Sequence, residues 1–172
     1  GFVRGRDPAG LEELDPGTLY GPFATSLRMS DLGYRNNAQA NLVVSANSLD
    51  EYVRDLYQAT HVPNPEFERI GIKVGGEYRQ LNANQLQIEN EFYSTIRPKR
   101  VADTGERPTA ALLRGGVQYL ELRTLDVSPW DPVGINQRQM RFLEVFLIYC
   151  LLQESPPISG AEQDCIDRNL GL

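Results

Sequence analysis

Cysteine is scarce in this 172-residue chain, which holds two, Cys150 and Cys165. Two thiols with no metal-ligand or redox spacing give neither a disulfide framework nor a zinc cluster, and a reducing cytoplasm is the expected setting. Cys150 lies inside an apolar helical run and reads as a buried thiol. Histidine occurs once, as His61 beside Val62-Pro63 at an expected helix end, which fits a capping or surface role rather than catalysis. No apolar run reaches the roughly 18 residues of a membrane span, and no signal-peptide pattern is visible. The apolar stretch 142–152 is too short to span a bilayer and carries Glu144. The net charge of −6 and a pI near 4.9 argue against nucleic acid as a partner. Arg97-Pro98-Lys99-Arg100 is a local basic stretch that can still hold an anion. Walker loops, G-x-G-x-x-G fingerprints and Ser/His/Asp sets are absent.

What is present is an ordinary soluble composition, 41% hydrophobic and 23% charged, which argues against disorder and allows one domain with a core. The chain begins at Gly1 and stops at Leu172 without a natural boundary at either end. A piece of a longer protein is expected. Residues 1–24 read as loop with a short turn at 11–14. Residues 47–59 give the clearest helix. Ser48 and Glu51 are spaced as a capping box, and Leu49, Tyr52, Val53 and Leu56 form an apolar stripe. Pro63 and Pro65 end it. Residues 70–74 and 77–81 flank Gly75-Gly76, a two-residue hairpin signal. Residues 110–114 suggest a helical turn. Asn136 with Gln139 opens a second helix, 137–153, apolar on most of its surface, and a short helix over 160–168 follows Pro156-Pro157. Helices separated by hairpin-linked strands predict an α+β fold with a mainly antiparallel sheet and packed helices.

Two segments alternate with period two, the signature of strands with chemically different faces. Over 85–97, Leu86, Ile88, Phe92 and Ile96 mostly share one face, and Gln87, Glu89, Glu91 and Tyr93 the other. Over 117–126, Leu120 and Leu122 oppose Tyr119, Glu121 and Arg123. A face carrying carboxylates and a guanidinium needs water, a counter-charge or a ligand. Glu121 and Arg123 stand side by side. The carboxylate can hold Mg²⁺ and the planar guanidinium can hold a phosphate, but spacing alone also fits an exposed ion pair. Glu89, Glu91 and Tyr93 make a similar row, which cross-strand bridges to Arg123 would explain without function. The polar loop 26–34 offers Arg28 as a carboxylate clamp and Tyr34 as a wall, or is an ordinary connection.

Four ordered strings carry a resemblance. They are Ala24 through Tyr34 (ATSLRMSDLGY), Leu86 through Tyr93 (LQIENEFY), Ile96 through Arg100 (IRPKR), and Leu113-Arg114-Gly115-Gly116 followed by Tyr119 through Asp126 (YLELRTLD). With their spacing, the chain from about Leu19 to Asp167 resembles the bacterial glutamate–cysteine ligase family of gamma-proteobacterial type. The resemblance implies a fold like that of glutamine synthetase, with an antiparallel sheet forming a funnel-shaped site. It implies ATP- and Mg²⁺-dependent joining of the glutamate γ-carboxylate to the cysteine amine through a γ-glutamyl phosphate, the first step of glutathione biosynthesis. Residue by residue, Glu121 matches a magnesium ligand and Arg123 a contact to the transferred phosphoryl group. Arg28, Tyr34 and Tyr93 match the lining of the cysteine site. Glu89, Glu91, Arg97, Lys99 and Arg100 lie in matching motifs with no role assigned. Residues 1–172 are then expected to be a central fragment of one catalytic domain, truncated at both ends and inactive alone, within a cytoplasmic, monomeric enzyme bound to neither membrane nor nucleic acid. The rivals are a related carboxylate–amine ligase with another amine substrate, and a non-catalytic module binding a nucleotide or amino acid.

Overall fold

The computed structural model describes residues 12–20, 26, 28, 39 and 42–170. The chain divides into two compact units, one of Tyr34–Thr124 and one joining Gly1–Gly33 to Leu125–Leu172. It is α+β, and every strand ladder among the described residues is antiparallel. The described strands form three two-stranded ladders.

In the 34–124 unit, α1 spans Leu49–Ala59. Ser48 accepts a hydrogen bond from the Glu51 backbone N–H at 3.1 Å, which satisfies one orphan donor of the first turn. Only this half of the expected capping box forms, because the Glu51 carboxylate turns to Ser45 Oγ at 2.5 Å. The apolar stripe buries Tyr52, Leu56 and Ala59 against Leu86, Phe92 and Leu112, with Leu42, Val44, Leu49 and Val53 packed at the margin. Each large apolar side chain buried this way contributes about 1.5–3 kcal/mol. A helix that the sequence reading did not expect, α2, spans Pro65–Ile70. Asn64 caps it by accepting from the Glu66 N–H at 2.9 Å, and Pro65 supplies a preset φ at the first helical position. Strands β3 (Lys73–Val74) and β4 (Glu77–Tyr78) form the expected hairpin, shorter than read, with Gly75 and Gly76 at φ 61° and 90°.

Residues 85–97 are the main departure from the sequence reading. Only β5, Ile96–Lys99, is a strand, and a 3₁₀ turn occupies Glu89–Glu91. The backbone groups that a ladder would use are committed elsewhere. The N–H of Gln85 donates to Val62 O and that of Leu86 to Ala59 O, while the Gln87 N–H donates to the Glu91 carboxylate at 2.8 Å. Leu86 and Phe92 are buried, but Ile88 is exposed, so the alternation does not describe two faces of one strand.

Helix α3, Pro108–Gly115, leads to β6, Tyr119–Leu122, which pairs with β5. Its N-cap residue Arg107 makes no side-chain cap. The Glu89 carboxylate replaces it, accepting from Thr109 N–H at 2.9 Å and Thr109 Oγ at 2.7 Å. At the other end Arg100 donates from Nε to Gly116 O at 2.6 Å, and from Nη2 to Gly115 O. A Cβ on Gly115 would lie 2.6 Å from Arg100 Cζ, so any side chain there would push the guanidinium out of this position.

In the other unit, β1 (Glu12–Asp15) and β2 (Thr18–Tyr20) form a hairpin where a loop was expected, turning at Pro16-Gly17 with Gly17 at φ 81°. Helix α4, Gln137–Leu152, has the full reciprocal box: Asn136 accepts from Gln139 N–H at 3.0 Å, and Gln139 Oε1 accepts from Asn136 N–H at 2.9 Å. Helix α5 spans Gly160–Leu170. None of the residues of α4 is buried, and Leu151 is 83% exposed. Cys150 is exposed rather than buried, because the apolar circumference of α4 meets no cover among the described residues; Cys165 on α5 is exposed too. No helix of the described residues is long and apolar enough to cross a membrane.

Candidate functional site

The β5–β6 ladder brings two i, i+2 pairs into register. Arg97 lies opposite Glu121 and Lys99 opposite Tyr119, with Arg123 continuing the row two residues beyond Glu121. Residues directly opposite in an antiparallel pair share a face. Three cations, Arg97, Lys99 and Arg123, therefore share a face with one carboxylate. Glu121 Oε1 accepts from Arg123 Nη2 at 3.1 Å, and Glu121 Oε2 lies 3.5 Å from Lys99 Nζ, an ion pair rather than a well-formed hydrogen bond. The Arg123 hydrogen bond holds the Glu121 carboxyl below the usual carboxylate range, with burial opposing and Lys99 helping. Burial pushes the Lys99 ammonium below the usual lysine range; Arg97 adds to this and Glu121 opposes it.

The polar face of this ladder is well covered at Arg97, which is 3% exposed, and open at Tyr119, which is 50% exposed; on the opposite face Leu120 is 48% exposed and Ile96 38%. The cover comes from the 3₁₀ turn and two tyrosines. Arg97 donates to the carbonyls of Glu89 and Asn90 at 3.4 and 3.5 Å and faces the Tyr52 hydroxyl, whose pKa burial raises and Arg97 moderates. The Arg123 guanidinium carbon lies over the Tyr93 ring, 5.4 Å from its centroid, a cation–π contact. Three polar atoms on this face are buried without a hydrogen-bond partner: Arg97 Nε, Arg123 Nε and Glu121 Oε2. Buried guanidinium donors left unpaired are costly, and such groups mark strain or a missing ligand.

The residues singled out from the sequence fare differently. Glu121, Arg123 and Tyr93 come together on this ladder. Glu89 and Glu91 leave the row, Glu89 to cap α3 and Glu91 to hold the Gln87 N–H. Arg28 belongs to the other unit. Its backbone N–H and Ser26 Oγ both donate to Asp126 Oδ1, at 2.9 and 2.8 Å, contacts that lie wholly within that unit. Tyr34 lies outside the described residues. His61 is the expected surface cap; it stacks on Tyr57 at 3.9 Å and its Nδ1 donates to the Tyr57 carbonyl at 2.7 Å. Lys99 and Arg97 were given no role by sequence. The signal that places them is the pairing of R-x-K on β5 with E-x-R on β6.

A family model described as glutamate–cysteine ligase matches residues 1–172. The chain belongs to that family. It is 55% identical over 170 residues to a glutamate–cysteine ligase of Shewanella oneidensis, covering 98% of this chain and 32% of the relative. It is 54% identical over 172 residues to one from Pseudomonas aeruginosa, with 100% and 32% covered. The chain thus spans about a third of the length of the curated relatives it matches. Among solved structures, a Francisella tularensis glutamate–cysteine ligase in complex with AMP matches at TM-score 0.81 and 44% identity, over 96% of this chain and 33% of that one. A bifunctional glutathione synthetase from Pasteurella multocida matches at TM-score 0.58 and 25% identity, over 91% and 16%. The α+β arrangement is therefore the one this part of a glutamate–cysteine ligase adopts.

For the magnesium that the family resemblance implies, Glu121 fits as a single ligand. Its Oε2 is buried with no hydrogen bond, and Mg²⁺ is commonly held by one or two carboxylates together with waters and substrate phosphates. Among the described residues no group of three or more His, Cys, Asp or Glu side chains could hold a metal. This ladder can supply one ligand and not a complete set.

Proposed function

We propose that these 172 residues are a central piece of the catalytic domain of a cytoplasmic, monomeric ligase that makes γ-glutamylcysteine from ATP, L-glutamate and L-cysteine. The observation that carries this is the match along the whole chain to glutamate–cysteine ligases at 54–55% identity. The ladder is suited to that chemistry. Phosphoryl transfer needs positioning and charge neutralisation more than covalent help from the protein. The Arg123 guanidinium, held over the Tyr93 ring and to Glu121, offers its remaining donors to the oxygens of the transferred phosphoryl group. Glu121 would hold Mg²⁺ as one of its ligands, and the ion would supply charge neutralisation to the phosphate oxygens. The glutamate γ-carboxylate attacks phosphorus, ADP leaves, and the cysteine amine then attacks the acyl phosphate and expels inorganic phosphate. Arg28 clamps the cysteine carboxylate, and Tyr34 and Tyr93 line its side chain. The amine must be neutral and close to the acyl carbon.

The full-length parent protein, assayed for phosphate release with glutamate and a panel of amines, should turn over with cysteine. Turnover with another amine but not with cysteine would replace this reading by that of a related ligase; binding without turnover would leave a non-catalytic module. In the same protein Glu121→Gln should reduce turnover most at limiting magnesium, while near-normal rates there would return Glu121 to the status of a simple ion pair. The isolated 172-residue piece should be inactive.

A further inference from the structure

We propose that Lys99 is a second contact to the nucleotide's phosphates, forming with Arg123 a two-sided cradle across Glu121. This rests on the reading of Glu121 and Arg123 given above and extends it to a residue on the facing strand. The register places Lys99 on the same face as Glu121 and Arg123, and its Nζ is 3.5 Å from Glu121 Oε2 while Arg123 Nη2 is 3.1 Å from Oε1. The lysine and the arginine thus grip opposite oxygens of one carboxylate. That carboxylate cannot neutralise the face alone. Arg97, buried beneath the same row, meets two backbone carbonyls and the Tyr52 hydroxyl but no carboxylate ion pair among the described residues, and its Nε and that of Arg123 have no hydrogen-bond partner. An uncompensated cation in a covered position is unfavourable unless an anion arrives to balance it. A polyphosphate has the charge and the several acceptor oxygens to do so. A metal ion held by Glu121 would compete with Lys99 for that carboxylate and leave the ammonium available to an anion. Arg97 touches no substrate in this scheme. It is a positioning residue that ties β5 to the 3₁₀ turn and keeps the face cationic.

The test uses the full-length protein and a non-hydrolysable ATP analogue, with binding read by calorimetry alongside KM values for ATP, glutamate and cysteine. Lys99→Met should weaken analogue binding about tenfold or more, the scale of losing one charged hydrogen bond, and raise the KM for ATP while leaving that for cysteine near normal. Lys99→Arg should recover much of the loss, which also guards against a variant that fails to fold. If Lys99 is only the counter-ion of Glu121, Lys99→Met will cost nothing further in a Glu121→Gln background, and that result would overturn the proposal. Analogue binding unchanged in Lys99→Met but weakened in Arg123→Lys overturns the Lys99 assignment alone. Binding unchanged in both removes the phosphate reading of the whole ladder.

Discussion

The unit of residues 34–124 has a core, and the unit that holds α4 has none among its described residues. Every buried residue described in the chain lies in the first. Local sequence quality does not explain the difference. Helix α4 is the longer of α1 and α4 and has the complete capping box that α1 lacks. What α1 has is a single apolar stripe that meets Leu86, Phe92 and Leu112. Apolar residues surround α4 on all sides, and only narrow positions such as Leu143 and Leu147 are even half-buried. Capping sets where a helix begins; packing on a partner decides how much it adds to stability.

The largest expected effect tests this division directly. In the 172-residue chain, Leu86→Ala should cost about 2–5 kcal/mol by denaturant unfolding, while Phe146→Ala on α4 should stay within about 0.5 kcal/mol. Equal losses would mean that α4 is packed in solution and would abolish the distinction. A smaller pair of variants sharpens it. Glu89→Ala removes both acceptors at the start of α3 and should destabilise the cored unit by about 1–3 kcal/mol. Asn136→Ala removes an equivalent cap from α4, yet should leave the unfolding midpoint of the 34–124 unit unchanged and raise amide exchange only within α4.

The smallest effect is in acid. The Arg114 hydrogen bond, helped by the Asp103 backbone N–H, holds the Glu106 carboxyl at about 2, below its ordinary 4.5. Because the folded-state value is depressed, its stabilisation is complete above the ordinary value and is lost as pH falls toward about 2. Acid titration of the cored unit should show this loss, and Glu106→Gln should flatten the curve across that window. A curve unaltered by the substitution would show that the pair contributes nothing.

The sequence made α1, the Gly75-Gly76 hairpin, α4, α5 and the polar row of β6 legible, since each rests on a local signal: a cap, a stripe, a two-glycine turn or a period of two. It misread 85–95 because period-two alternation is also produced by a 3₁₀ turn flanked by two buried anchors, Leu86 and Phe92, in a segment whose first backbone donors, Gln85 and Leu86, reach far away to Val62 and Ala59. The helix at 65–70 had its signal, Asn64 before Pro65, which was read only as a stop. The Pro16-Gly17 dipeptide likewise marked a turn inside a segment read as loop. Glu121 and Arg123 were found as neighbours along one strand. Lys99 and Arg97 were not, because cross-strand register is set by tertiary pairing and is invisible along the chain.

Arg100 and Gly115 were read as parts of two separate motifs, IRPKR and LRGG, yet they meet in one contact that a single methyl group would disturb. The two positions are therefore one inheritable unit. A lineage that loses the arginine releases the glycine to vary, and one that gains a side chain at position 115 must first find another group to satisfy the carbonyls of residues 115 and 116. Across relatives, substitution at the two positions should be correlated, with the arginine surrendered before the glycine.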